Sequence, residues 1–286
     1  MTLQIAAIAR NTFTELVRQK IFSIILVFAL CAIGSSVFLA RLTFQEEFQM
    51  LKDVCLGAIS IFTSLLAILA TANFLPKDLE ERTIYNVLSK PVPRFVYLLG
   101  KLAGIILLLF LFTLLMSGVF CLVLWLREEA VLAATRTQFA DGSAEELAAA
   151  LKAVSAATFN ANLIPGILII FVKSALLASL TLLISTFATS SLFTVMIAVA
   201  IYFIGHLQST AREYWLQGTA VTWGTRVVVG LIALLFPDLQ AFNLADHVIA
   251  GAAIPLSIFL NTFALGWTYV VVYFAVAAFI FAGREL

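Results

Sequence analysis

Few side chains in this sequence could do chemistry, and they stand apart from one another. Lys173 falls inside the apolar run Ile164 to Phe187, where an ionisable group is costly and a substrate or gating contact is the functional reading. The plainer reading is geometric. At 1.5 Å per residue, Lys173 lies ~24 Å from Thr189 if the run is helical, close enough to the far interface for its ammonium to snorkel or to pair with a neighbouring helix. His206 follows Gly205 near the end of another apolar run, placed to hold a substrate headgroup or a metal. One histidine makes no metal site, and His247 shares no motif with it, so hydrogen bonding at an interface is the simpler role. Glu213 and Asp238 either line an exit path or satisfy helix ends near water. Cys31, Cys55 and Cys121 lack metal-ligand spacing and read as small apolar fillers.

Catalytic constellations are missing from the sequence. There is no His-Glu-x-x-His, no Gly-x-Ser-x-Gly elbow and no phosphate loop, since Gly100-Lys101 lacks the upstream glycine. Lys173 and Ser174 are helix neighbours pointing in different directions, which disfavours a Ser/Lys dyad. The expectation is a chain that is no enzyme and carries no cofactor or metal of its own.

The elements that must position Lys173 and His206 follow from composition. Of 286 residues, 63% are hydrophobic and 12% charged, with a mean hydropathy of +1.08; this is an all-α, polytopic membrane composition. The formal charge is +1 and no basic tract runs through the chain, so nucleic acid is not expected as a partner. Apolar runs long enough to cross ~30 Å of hydrocarbon fall at about 21–40, 54–75, 97–126, 164–187, 192–207 and 256–282. The third exceeds the usual length and must tilt or project, and the fourth and fifth form a tight hairpin. Val227 to Phe236 is too short to span and reads as re-entrant within an outer segment, 208–255.

Residues 1–20 place Ile5, Ile8, Phe13, Leu16 and Val17 at helical spacing among Arg10, Glu15, Arg18 and Lys20, which predicts an amphipathic helix lying at the interface. The polar start and the long run after it do not resemble a cleaved signal. Between the third and fourth spans, 127–162 is polar and Ala-rich. Ser143 followed by Glu146 is the pattern of a reciprocally capped helix, expected over 144–156.

The segment between the second and third spans, 76–96, has the clearest plan. Pro76 precedes Asp78, Glu80 and Glu81, which suit the positive end of a helix dipole, and Pro91 and Pro93 stop the helix. A short helix is therefore predicted over Asp78 to Ser89. Leu79, Ile84, Val87 and Leu88 give it more apolar surface than a solvated connector needs, as a docking surface would, although a linker lying on lipid headgroups has the same composition.

An acidic helix ending in Arg82-Thr83-Ile84-x-x-x-Leu88-Ser89-Lys90-Pro91-Val92-x-Arg94, followed by Gly100-Lys101, resembles the cytoplasmic coupling segment of type-2 ABC exporter permeases. The resemblance extends to the N-terminal Ala9-Arg10-Asn11-Thr12-Phe13-x-Glu15 run, the six-span layout, the Ser185-Thr186-Phe187 corner and the Tyr202 to His206 end of the fifth span. It implies a permease subunit in the bacterial inner membrane, paired with a second copy or a related permease. An ABC ATP-binding subunit, carrying ATP and magnesium, would grip Asp78, Leu79, Glu80, Glu81, Arg82, Thr83, Ile84, Leu88 and Arg94. The outer loop at 127–162 is longer than in the shortest members of that family. An alternative of another class is a non-transporting scaffold or assembly factor that holds an extracellular partner through this loop.

Orientation follows from Lys and Arg. With the N-terminus inside, the cytoplasmic segments hold nine of the 17 basic residues, against seven over about 100 residues outside. Both termini are thus expected in the cytoplasm, and a tag at either end of the chain in intact cells should be reached only after permeabilisation; labelling of unopened cells would reverse the topology.

Overall fold

The computed structural model describes residues 1–40, 47–74, 76, 93–138, 143–160, 162–188, 190–217, 223–224, 236–244, 248–249 and 254–283. These form eight α-helices and a short 3-10 turn, with no strand among the described residues. The helices are α1 (Thr2–Val17), α2 (Lys20–Ala40), α3 (Glu47–Ala72), α4 (Arg94–Gln138), α5 (Ala144–Thr158), α6 (Leu163–Phe187), α7 (Ser191–Gln217) and α8 (Leu256–Gly283), and the 3-10 turn spans Leu239–Phe242. Six of them, α2, α3, α4, α6, α7 and α8, are long and apolar enough to cross a membrane. The expected helix at Asp78 to Ser89 and, apart from Phe236, the expected re-entrant segment Val227 to Phe236 lie outside the described residues.

Helices α2 and α4 divide their apolar surface between protein and lipid. On α2, Ile25, Ala29, Ile33 and Ser36 recur every three or four residues and are buried against α3, while Ile24, Val27, Phe28 and Phe38 face outward. On α4, Leu98, Leu102, Ile105, Leu109, Phe112, Met116, Phe120 and Leu124 form one continuous buried stripe. Leu107, Phe110, Leu111, Leu114, Leu115 and Leu122 cover the opposite side. An exposed sheath of large apolar side chains is what a lipid-facing surface requires.

Helix α6 is the most enclosed. In its apolar window 78% of residues are buried, against 61% or less in the other spans, because α3, α4, α7 and α8 all pack on it. Its hydroxyls are satisfied locally. Ser174, Ser179, Thr181, Ser185 and Thr186 each donate to a carbonyl three or four residues back, a bond that keeps a polar atom inside a helix without a partner elsewhere.

The helices run further than hydropathy alone suggests. Helix α4 has 45 residues, ~68 Å at 1.5 Å per residue, and continues through Arg127, Glu128 and Glu129 to Gln138. Backbone hydrogen bonding does not stop where side chains turn polar. At that far end Arg127 forms an ion pair with Glu47 at the start of α3. Helix α5 begins with the capping box of Ser143 and Glu146, and its other end is held by buried Lys52 of α3, whose Nζ donates to the Ala157 carbonyl at 2.7 Å. A cation on the last carbonyls of a helix opposes the negative end of its dipole.

Helix α1 lies on the first turns of α4 rather than standing alone. A Cβ at Gly100 would sit 2.7 Å from Ile8 Cβ, and one at Gly104 would sit 2.7 Å from the Ala9 carbonyl and 2.8 Å from Thr12 Cβ. Two glycines one turn apart thus cut the groove that lets the two backbones approach. Because the obstacle at Gly104 is backbone, it cannot rotate aside. Gly104→Leu should displace α1 and cost ~1–3 kcal/mol, read as a lower thermal transition of the detergent-purified chain together with faster proteolysis before residue 20.

Candidate functional site

Lys173 and His206, 33 positions apart in sequence, line one cavity of about 280 Å³. It sits at the end of the bundle where α3 and α6 begin and α7 finishes, opposite the end where 77–92 joins α3 to α4. Helix α3 contributes Asp53, Gly57 and Ser60; α6 contributes Gly166, Ile170 and Lys173; α7 contributes Tyr202 and His206. Gln240, Asn243 and the apolar Phe242, Leu244 and Val248 cover it.

This cover is seated on small residues. A Cβ at Gly205 of α7 would lie 2.7 Å from Leu239 Cγ and 2.8 Å from the Pro237 carbonyl, and one at Gly166 of α6 would lie 2.8 Å from Val248 Cγ2. Asp238 caps the 3-10 turn, its Oδ1 accepting from the Gln240 N–H at 3.1 Å. Beside it, Asn160 Nδ2 donates to the Val248 carbonyl at 2.7 Å and Asn162 Oδ1 accepts from the Ile254 N–H at 3.2 Å. Val248 and Ile254 are thereby tied to the connection between α5 and α6.

Lys173 lies ten residues into α6, ~15 Å from its first residue. It is 3% exposed, and its Nζ donates to Ser60 Oγ of α3 at 2.5 Å. The side chain therefore pairs across helices instead of reaching out to the interface. No carboxylate forms an ion pair with it among the described residues, and Asp53 stands exposed at the rim, two helical turns from Ser60 on the same face of α3. His206 Nδ1 donates to the Tyr202 carbonyl at 2.9 Å, and the two rings lie 4.3 Å apart between centroids. That bond leaves Nε2 as the ring nitrogen open to a ligand.

At the opposite end, the residues flanking 77–92 are anchored to the spans. Lys101 lies over the Phe74 ring at 4.4 Å from its centroid, a cation–π contact in a position 7% exposed. Arg94 Nη1 donates to the Phe281 and Ala282 carbonyls at 3.3 and 2.9 Å, so the guanidinium caps the C-terminus of α8. Tyr97 stacks on Phe281 and Phe95 meets Phe274 edge-on, at centroid distances of 6.3 and 5.3 Å. Of the expected partner-contacting residues, Asp78, Leu79, Glu80, Glu81, Arg82, Thr83, Ile84 and Leu88 fall outside the described residues, and Arg94 carries this structural role.

Sequence reasoning singled out Lys173 and His206 separately and missed Asp53, Gly57 and Ser60. Their signal was present, since positions i, i+4 and i+7 in an apolar helix share one face. Tyr202 was legible only as part of a span end. Gln240, Phe242 and Asn243 had no readable link to either residue. Among the described residues, no group of three or more His, Cys, Asp or Glu could hold a metal ion. Cys55 instead points its thiol at Ser36 Oγ, 3.2 Å away, between α3 and α2.

No protein-family model matches the sequence, and a search of curated proteins finds no match. What the structure itself defines is an all-helical chain with six helices able to span a membrane, hence a multi-pass membrane protein with a polar cavity among its spans.

The Lys173–Ser60 bond makes a measurable claim. Ser60→Ala should cost ~1–3 kcal/mol by removing the acceptor of a buried ammonium, whereas Ser60→Ala in a Lys173→Met background should cost much less. Chemical unfolding of the four forms in detergent should give a coupling of at least ~0.5 kcal/mol; strict additivity would show that the two groups do not interact.

Proposed function

We propose that the chain is the transmembrane permease subunit of an ABC transporter of the type-2 exporter kind, moving its substrate with ATP hydrolysed on a separate subunit. The observation that carries this reading is the anchoring of both flanks of 77–92. Phe74 is held by Lys101 of α4, Arg94 is bonded to the end of α8, and α1 lies in the Gly100/Gly104 groove a turn beyond. A partner that displaces this segment therefore pulls at once on α1, α3, α4 and α8, where a loosely attached linker would absorb the movement.

The prolines at 76, 91 and 93 and the acidic-then-apolar pattern between them suit a stiff element gripped from the cytoplasm. In this reading the ATP-binding subunit supplies the nucleotide and magnesium chemistry. A second permease copy completes the pathway, the bacterial inner membrane is the site, and both termini are cytoplasmic. The cavity under 240–244 and Val248 then opens toward the outer side of the membrane, and Lys173 marks the deepest polar point of the path this chain contributes.

Leu79→Asp and Glu81→Lys change two of the residues expected to meet the ATP-binding subunit. Each should abolish co-purification with the ATP-binding subunit and the stimulated nucleotide turnover of the complex, with the thermal transition of the permease unchanged. A complex that assembles and turns over normally with both substitutions would sink the assignment.

A further inference from the structure

We infer that the cavity beneath residues 240–244 and Val248 binds an oxyanion, of the phosphate or carboxylate kind, with the Lys173 ammonium as its counter-charge. Lys173 is 3% exposed and lies about midway through the apolar helix α6, and among the described residues its one hydrogen-bonding partner is the neutral hydroxyl of Ser60. An ammonium has three donors, so two remain for a ligand. A buried cation without a carboxylate beside it is costly in a medium of low dielectric, and a cavity at its head gives an anion room to supply the missing charge.

The surroundings favour the same class of ligand. His206 commits Nδ1 to the Tyr202 carbonyl, leaving Nε2 able to take a proton and donate once an anion arrives. Leu56, Ile170, Phe242 and Val248 form apolar walls, which suit a short alkyl portion attached to the charged group. At about 280 Å³ the space lies near the lower edge of the ~300–1,000 Å³ common for small-ligand pockets, enough for a headgroup and not for a folded peptide. Among the described lining residues Asp53 is the one carboxylate. It is exposed at the rim and repels an anion there, so its effect on binding should be opposite to that of Lys173.

Oxyanion binding stands on the cavity alone; that the bound oxyanion is the transported substrate rests on the permease reading. The test uses the full chain in a neutral maltoside detergent with radiolabelled octyl phosphate and octanoate below their micellar concentrations. Saturable binding of at least one probe is expected, and Lys173→Gln should weaken it by at least about tenfold, the loss of one charge-assisted bond. Lys173→Arg should restore most of it, and Asp53→Asn should bind as well as the parent or better.

Gly57 offers a variant that leaves the ammonium in place. It lines the cavity, and a Cβ added there meets nothing within 4 Å, so Gly57→Leu should fill the space and abolish saturable binding at an unchanged thermal transition. Competition by inorganic phosphate at similar concentration assigns the site to the free anion, and failure to compete at a large excess assigns it to an amphiphile such as a lipid headgroup; either result upholds the inference. Absence of saturable binding of both probes to the parent chain, or equal affinity in Lys173→Gln, overturns it. Because no ATP-binding subunit is present, failure here is distinct from failure of the Leu79 and Glu81 experiment.

Discussion

Hydrocarbon offers no hydrogen bonds, and that constraint organises the molecule around α6. Every backbone group crossing the membrane must be satisfied within its own helix, and a helix enclosed on all sides must also satisfy its side chains. Five hydroxyls of α6 do so by bonding carbonyls a turn back. Lys173 is too long and too strongly charged for that solution. It reaches to α3 instead, and the neighbouring helices leave a space at its head. The polar cavity is thus a consequence of placing a cation in the most buried helix.

The two ends of the bundle are built by different means. At one end, a charged cap, a cation–π contact and a glycine groove tie α1, α3, α4 and α8 together around the point where 77–92 leaves and returns. At the other, the 3-10 turn and Val248 rest on Gly205 and Gly166, and Val248 and Ile254 are tied through asparagines to the connection ahead of α6. The first fastens four helices to one another where that segment attaches. The second places an irregular backbone over a cavity, where its polar groups find partners or water.

The number of spans was legible in the sequence because length and hydropathy suffice for it, and the capped helix after Ser143 was legible because its two partners are three residues apart. The inward faces were not. Lipid and protein interior are equally apolar, so the buried stripe from Leu98 to Leu124 looks the same in sequence as the exposed Leu107 to Leu122. The end of α4 was hidden for the opposite reason, since Arg127 to Gln138 is helical without being apolar. Lys173 and His206 were conspicuous as polar residues in apolar runs. Their convergence depends on α3 and on the cover, and only the stripe of Asp53, Gly57 and Ser60 hinted at it.

The unbroken length of α4 bears on where such a protein can reside. Its apolar stretch beyond Lys101, from Leu102 to Leu126, covers ~38 Å, and leaning by about 40° it rises ~29 Å. Thin and thick bilayers alike can therefore be matched by sliding their boundary along this rod, without exposing backbone or burying a charge. Thickness would be a poor address label for this chain, and residence in a particular compartment has to be specified by something other than the fit of its longest helix.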